Sequence, residues 1–387
     1  MEIDEIALSE PACAAREIDL VNAVLQSSRW SDGPMLDSFE RAFAGWVGRE
    51  YAVAVASGTL ATWIALRAMG IGPGDEVVCA SHAWHQVAQA ITLAGAVPVF
   101  ADIDYWSGCL SAEKAAQKIG PRTRAILAGN TNGHPAAWAL LRELADAQRL
   151  RLIEDSTEAL GSRYRGRNVG CFGDVSVFDF SSPSALCTGA GGMLVTDDDE
   201  LVHELRYLRE RRVTDRASVS VGSWVPLQAG ISDLTAALGL AQLAELDTRL
   251  AQRKQVETWY HGEMQSFEGI KPAYVAEDVE EVHWMLYVVH LGKRFTQSAR
   301  AQMIDDMKSC GIETVAYSHP LHQQFHYMNA GDAIGRKSGL LPDTERIGDR
   351  ALALPLHTLL DTDQVKYIVK TLKDTATNVG AGAAIYL

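Results

Sequence analysis

Short apolar segments alternate with stretches of helical apolar spacing in the first half of the chain, and this alternation limits the fold most strongly. Most of these apolar segments are separated by a helix-length stretch, a spacing typical of strands joined by helical crossovers. The pattern predicts an α/β fold, with a mostly parallel seven-stranded sheet covered by helices on both faces. The predicted strands begin near Tyr51, Glu76, Val97, Arg124, Arg151, Val175 and Met193.

Length and charge narrow the kinds of partner that the chain could bind. At 387 residues it is long enough for one large domain with a smaller one attached. The formal net charge is −14, and we see no cluster of Lys and Arg free of acidic neighbours, so we expect neither nucleic acid nor membrane as a partner. The six cysteines are widely scattered, the first residues lack signal-peptide features, and we expect a cytoplasmic protein.

Polar residues follow several of the predicted strands, at the sheet edge where α/β proteins bind ligands. The turn from Ser57 to Thr59 leads into a helix, whose free backbone N–H groups suit an anion. Asp155 and Glu158 follow the strand that begins at Arg151. The segment 179–192 joins the last two predicted strands through a polar turn and a glycine-rich exit, and we expect it to carry function. No spacing of ligand-type residues predicts a metal site.

The chain resembles the DegT/DnrJ/EryC1/StrS family of pyridoxal-phosphate (PLP) sugar aminotransferases from about residue 8 to residue 374. The segment 178–192, FDFSSPSALCTGAGG, is similar to the family pattern F-S-F-x-x-x-K-x-x-x-x-G-E-G-G. The segment 231–246, ISDLTAALGLAQLAEL, is similar to the family helix S-D-L-Q-A-A-x-G-L-A-Q-L. The resemblance implies a PLP-transferase fold of type I, like that of aspartate aminotransferase. It further implies a large α/β domain over residues 1–250, a small C-terminal α+β domain over residues 251–387, and a homodimer.

The resemblance also implies a role for each matching residue, provided that PLP or its amine form, pyridoxamine phosphate (PMP), binds. Gly58 and Thr59 lie in the S-G-T turn that holds the cofactor phosphate in the family. Trp84 takes the position of the aromatic residue that stacks on the pyridine ring. Asp155 matches the carboxylate that pairs with the pyridine nitrogen, and Glu158 matches a residue beside the ring hydroxyl.

Several positions depart from the family pattern, and together they remove the family's reaction. Ser184 stands where the family has the Schiff-base lysine, and a hydroxyl forms no imine. Asp179 stands where a serine contacts the cofactor phosphate, and a carboxylate there would repel a phosphate by about 1 to 4 kcal/mol. Gln228 and Gly230 replace an asparagine and an arginine of the family's phosphate cradle. We therefore expect no cofactor, and binding of PLP or PMP stays open as the alternative.

The residues that remain favour acid/base chemistry. Asp155, Glu158 and Asp179 are expected close together, and neighbouring carboxylates raise one another's pKa values. With Ser184 and His85 they form the predicted catalytic set, acting on a sugar or natural-product intermediate in an isomerisation, dehydration or cyclisation. Two alternatives stay open: a PMP-dependent sugar dehydratase, and a non-catalytic partner of an active aminotransferase.

Overall fold

Strands and helices alternate along the computed structural model, which describes residues 5–31, 33–209, 227–265, 273–292, 295–317, 319–329, 339–379 and 385–386. The strands are β1 (Tyr51–Val55), β2 (Glu76–Ala80), β3 (Val97–Ala101), β4 (Thr123–Gly129), β5 (Arg151–Asp155), β6 (Arg163–Tyr164), β7 (Arg167–Asn168), β8 (Val175–Asp179), β9 (Gly192–Thr196), β10 (Val279–Glu281), β11 (Tyr287–Leu291), β12 (Val315–Ala316), β13 (Ala351–Leu354) and β14 (Ile385–Tyr386). The α-helices are α1 (Ala15–Ser27), α2 (Pro34–Val47), α3 (Gly58–Ala68), α4 (His85–Leu93), α5 (Ala112–Ala116), α6 (Trp138–Gln148), α7 (Asp199–Arg209), α8 (Asp233–Ala244), α9 (Leu246–Met264), α10 (Gln297–Ser309), α11 (Phe325–Asn329), α12 (Pro342–Arg350) and α13 (Thr362–Asn378).

The central sheet has seven strands in the order β1-β9-β8-β5-β4-β2-β3. The pairs β3–β2, β2–β4, β4–β5 and β5–β8 are parallel, whereas β9 runs antiparallel to both β8 and β1. The predicted seven-stranded, mostly parallel sheet is therefore confirmed. Because the parallel strands share one direction, their carboxyl ends meet at a single edge, and the polar residues that follow them gather there.

Helices cover both faces of this sheet. One apolar cluster joins the sheet to α3, α4 and α7, and includes Ile64, Ile91 and Leu205. A cluster on α2 and α8 includes Phe39 and Phe43, and a further cluster includes Trp138 of α6. With both faces of the sheet covered, these strands are buried along their whole length, as expected for parallel strands.

A second sheet lies in the C-terminal part of the chain, with four strands in the order β12-β13-β11-β14. It shares an apolar core with α9, α10 and α13, to which Tyr260, Met303 and Ile368 belong. The predicted domain boundary at residue 250 falls inside α9, and the division of the chain at that point stays a prediction. No helix within the described ranges is long and apolar enough to cross a membrane.

Candidate active site

The Asp179 carboxylate caps the first turn of α3. Asp179 is the last residue of β8, and its Oδ2 accepts a hydrogen bond of 2.7 Å from the Gly58 N–H. Its Oδ1 accepts a second bond of 2.7 Å from the N–H of Ser181. Since a helix start carries free N–H donors and partial positive charge, it stabilises a carboxylate placed there. The chain itself therefore supplies the anion for this helix.

The contact between Asp179 and α3 is too close to accommodate a side chain at position 58. A Cβ on Gly58 would lie 2.6 Å from both Cβ and Oδ2 of Asp179, and 2.9 Å from Oε1 of Gln86. These separations are shorter than real Cβ contacts allow, so glycine is the residue that fits there. Asp179 and Gln86 together fill the space in front of the helix.

Gln86 also reaches Asp155 at the end of β5. Its Nε2 donates to Oδ2 of Asp155 over 3.3 Å and to Oγ1 of Thr157 over 3.0 Å. The Thr157 N–H donates to Oδ1 of Asp155 over 3.0 Å. Burial raises the pKa of Asp155; the hydrogen bonds from Thr157 and Gln86 oppose that rise, and the charge of Asp179 adds to it. The side chain of Gln86 thus spans from Asp155 to Gly58.

Glu158 is held by residues from two distant parts of the chain. Its Oε2 accepts a hydrogen bond of 2.7 Å from the Tyr317 hydroxyl and a further bond from the Asn132 N–H. Burial raises the pKa of Glu158 to about 7; the bonds from Asn132 and Tyr317 act against that rise, and the charge of Asp155 supports it. Near neutral pH both the protonated and the ionised form of this carboxyl are therefore populated.

The other residues predicted for the site are distributed around this centre. Ser184 is half-buried and shares with Glu158 a void of about 10 Å³, while its Oγ accepts from the Leu186 N–H at 3.3 Å. Trp84 is half-buried beside the exposed ring of His85, with centroids 5.4 Å apart. Thr59 is half-buried in the first turn of α3.

The structure therefore brings Gly58, Asp155 and Asp179 together, and it places Ser184 next to Glu158. His85 lies at the exposed start of α4. Gln86 and Tyr317 are additional site residues that the sequence analysis did not single out. Gln86 directly follows Trp84 and His85 in the sequence, so its position was a usable signal, whereas Tyr317 had none.

The central sheet, the smaller C-terminal sheet and this cluster at the carboxyl ends of the strands define an α/β protein of the PLP-transferase class, fold type I. The chain belongs to the DegT/DnrJ/EryC1/StrS aminotransferase family, whose family model matches residues 11–373. The predicted family and fold class are both confirmed.

Similar proteins cover almost the full length of the chain. The spore coat polysaccharide biosynthesis protein SpsC of Bacillus subtilis is 33% identical over 95% of this chain and 96% of its own. GDP-perosamine synthase of Caulobacter vibrioides is 33% identical, over 96% and 98% of the two chains. Among solved structures, S. venezuelae DesV in complex with a ketimine intermediate matches with a TM-score of 0.85 and 30% identity, covering 97% of this chain and 99% of that one. These likenesses indicate a sugar aminotransferase homologue, for which PLP and PMP are the plausible cofactors.

The residues at Gly58 nevertheless do not fit a cofactor phosphate as they are placed. The Gly58 N–H already donates to Asp179, and the Gln86 amide lies beside the same glycine. A phosphate at this position would displace a carboxylate that accepts two backbone hydrogen bonds.

Proposed function

We propose that this chain works without PLP, by acid/base catalysis on a sugar or natural-product intermediate, in an isomerisation, dehydration or cyclisation. The observation that carries the proposal is the hydrogen bond from the Gly58 N–H to Asp179, which places a carboxylate where the family resemblance puts the cofactor phosphate. Ser184, at the position of the Schiff-base lysine, agrees with it.

Glu158 is the group best suited to move a proton in this proposal. A pKa of about 7 leaves both the acid and its conjugate base populated at neutral pH, which general acid/base catalysis requires. Asn132 and Tyr317 hold its Oε2 in place, so that the carboxyl has a fixed direction. His85 is exposed, and in this proposal its ring exchanges protons with the solvent.

In this proposal Asp155 and Asp179 organise the cleft instead of reacting directly. Asp179 takes the anion position on α3, and Asp155 orients the amide of Gln86. The charge of Asp179 raises the cost of ionising Asp155, and the charge of Asp155 raises the cost of ionising Glu158, because like charges at short range disfavour the ionised forms. Ser184 contributes a hydroxyl to the small void that it shares with Glu158.

Cofactor binding is the first test. We would titrate the protein with PLP and with PMP, following the absorption spectrum and the heat of binding, and compare it with the Asp179→Ser, Ser184→Lys and doubly substituted variants. The proposal expects no binding by the unsubstituted protein and a Schiff-base absorption band in the double variant. Tight binding of PMP by the unsubstituted protein would overturn it in favour of the PMP-dependent dehydratase.

Acid/base catalysis needs a measurement of its own, separate from the titration with cofactor. Incubating the protein in D₂O with a panel of free and nucleotide-linked sugars, with mass spectrometry as the readout, reports proton exchange at carbon without a cofactor. We expect deuterium to enter one substrate class, and the Glu158→Gln variant to abolish that exchange. Exchange that is equally fast in the variant would remove Glu158 from the mechanism.

A non-catalytic partner of an active aminotransferase is the second candidate, and a specific observation favours it. The voids beside Ser184 measure only about 10 and 20 Å³, less than a sugar ring needs. If the D₂O panel shows no exchange, while the chain co-purifies with an active aminotransferase and raises its activity, this second candidate replaces the first. The homodimer expected from the resemblance stays a prediction, testable by analytical ultracentrifugation.

A further inference from the structure

A large cavity lies between the central sheet and the C-terminal sheet. Its volume is about 950 Å³, and it opens between the carboxyl ends of β2, β3 and β4 on one side and residues of α9 and β11 on the other. Its described lining does not include Asp155, Asp179 or Ser184, so the cavity is a different space from the carboxyl cluster above. A cavity of this size is large enough for a small molecule.

Two aromatic side chains on one wall of the cavity are open to solvent. Trp106 is 64% exposed and Tyr274 is 45% exposed, so both rings are accessible to a ligand. Their centroids lie 6.3 Å apart, with an angle of 45° between the planes. A cation that binds to an aromatic face lies within about 6 Å of the ring centroid, so two rings at this separation can share one ion.

The neighbouring ring already holds a cation that belongs to the chain itself. Tyr105 packs edge-on against Trp106, with 5.3 Å between the centroids. The guanidinium carbon of Arg346 lies over Tyr105, 4.0 Å from its centroid. In the described part of the chain no cation lies over Trp106 or Tyr274 in this way, so these two rings stay available to a ligand.

His134 supports the Tyr274 ring and brings no positive charge to it. The two rings stack with 6.0 Å between centroids and 12° between planes. Nδ1 of His134 lies 2.7 Å from the Pro135 carbonyl oxygen, and its Nε2 accepts a hydrogen bond of 3.3 Å from the Ala276 N–H. Because a carbonyl can only accept and an N–H can only donate, the proton is on Nδ1 and the ring is neutral.

Negative charge lies close to this pair of rings. Burial lowers the pKa of His134; a hydrogen bond from its ring and the charges of Asp104 and Asp278 oppose that fall. Asp104 accepts a hydrogen bond of 3.1 Å from the Trp106 N–H, and within the described ranges it forms no ion pair. Asp278 lies 3.2 Å from Arg165, which balances its charge. Asp104 is therefore the carboxylate that a cation beside Trp106 would meet without a competitor.

Carboxylates also outnumber cations along the described lining, which includes Glu257, Glu280 and Glu281 against Arg163 and Lys254. Lys254 lies 2.8 Å from Glu257, and Arg163 donates to a backbone carbonyl. The chain as a whole has a formal net charge of −14, which attracts cations and repels anions over longer distances. Charge and aromatic surface therefore both favour a cationic ligand.

We propose that this cavity binds a small alkylammonium ion such as choline, with its charged head against Trp106 and Tyr274 and its charge balanced by Asp104 and the glutamates of the lining. The ring faces contact the methyl groups that surround the charge, so recognition needs neither a phosphate nor a ring of hydroxyl groups. The inference goes beyond the proposed function and does not rest on it, because it concerns other side chains and involves no proton transfer.

The test compares choline with its neutral carbon analogue, in which a tert-butyl group replaces the trimethylammonium group and only the charge is lost. Titration calorimetry on the full chain gives both Kd values. We expect choline to bind about tenfold more tightly or better, and its affinity to fall as NaCl is added. Trp106→Ala should weaken choline binding by about threefold to thirtyfold. Asp104→Asn keeps an acceptor for the Trp106 N–H but removes the charge, and should weaken binding by about threefold.

Two matched variants serve as controls. Trp30→Ala removes another exposed tryptophan outside the described lining, and Asp19→Asn removes another exposed carboxylate; both should leave choline binding unchanged. Because the Trp106 side chain is mostly exposed, Trp106→Ala should melt close to the unsubstituted protein, so lost binding would not reflect unfolding. Absence of choline binding, equal binding of the neutral analogue, or unchanged affinity in Trp106→Ala would each overturn the proposal. None of these results depends on the cofactor titration or on deuterium exchange, so the two proposals fail independently.

Discussion

The Asp179 carboxylate accepts a hydrogen bond from the Gly58 N–H over 2.7 Å, and so joins the end of β8 to the start of α3. From the sequence, Asp179 is expected to repel a phosphate and to belong to the catalytic group of carboxylates. The structure adds a favourable role, since the carboxylate takes up a free donor and interacts with the positive end of the helix. Asp179, which departs from the family pattern, therefore stabilises the fold of the chain. It also fills the place at the start of α3 where an anion would bind.

Replacing Asp179 should make α3 responsive to external anions. Asp179→Ser removes the acceptor for Gly58 and Ser181, and we expect a loss of about 1 to 3 kcal/mol in the free energy of unfolding. Inorganic phosphate should then raise the melting temperature of the variant but not of the unsubstituted protein, at matched ionic strength. Calorimetry over a phosphate series measures both effects, and an equal response of the two proteins would contradict the prediction.

Gly58→Ala tests the close contact between Gly58 and Asp179 by changing the glycine instead of the aspartate. The added methyl group would meet Asp179 Cβ at 2.6 Å, so we expect a destabilisation of about 1 to 3 kcal/mol from overpacking. Gly262→Ala in α9 is the matched control: nothing lies within 4 Å of its Cβ, and alanine there should stabilise the helix by about 0.5 to 1 kcal/mol. Urea unfolding of both variants checks the opposite signs, and equal effects would mean that the contact is unimportant.

Much of the fold could be predicted from local sequence patterns. The central strands begin within one residue of the expected positions; β4 starts at Thr123 and β9 at Gly192. Apolar runs bounded by turn residues carry this information, because the strands of a covered parallel sheet are buried on both faces. Asp155 and Asp179 end their strands, so their approach at the sheet edge followed from topology.

Contacts between distant parts of the chain were not predictable in the same way. Tyr317 bonds to Glu158 from a loop 159 residues further along, and only the docking of the C-terminal sheet brings the two together. The place of Gln86 beside Trp84 and His85 was a signal, but its role depends on where Asp155 and Gly58 lie, which only the folded chain shows.

The buried Glu154 should be the most sensitive carboxylate for folding. It is fully buried next to Asp155, and hydrogen-bond donors surround both of its oxygens. Glu154→Gln would aim an amide NH₂ at these donors, so we expect a loss of about 3 kcal/mol or more. Urea unfolding measures it, and Glu143→Gln on the exposed side of α6 controls for the substitution; similar stability of the two variants would refute the prediction. The donors are Asn130 (3.1 Å), Ser156 (2.8 Å), Gly170 (2.6 Å), Phe172 (2.8 Å), Gly173 (3.2 Å) and Ser176 (2.9 Å).

Glu158 should make the stability of the protein depend on pH in a defined window. Its pKa rises on folding from an ordinary 4.5 to about 7, so the folded state holds a proton that the unfolded chain releases. The stabilising contribution is therefore complete below about pH 4.5 and is lost as the pH rises through 7. Compared with Glu158→Gln, which mimics the protonated side chain, the unsubstituted protein should lose up to about 3 kcal/mol across this window.

Chemical unfolding of the protein and of Glu158→Gln at several pH values measures this difference directly. Other groups that titrate in the window act on both proteins alike, so subtracting the two free energies of unfolding isolates Glu158. Glu277→Gln, at an exposed position, should follow the unsubstituted protein at every pH. A difference that stays constant between pH 4.5 and 7 would show that Glu158 is ionised throughout, and it would remove the physical basis for its role as the proton-transferring group.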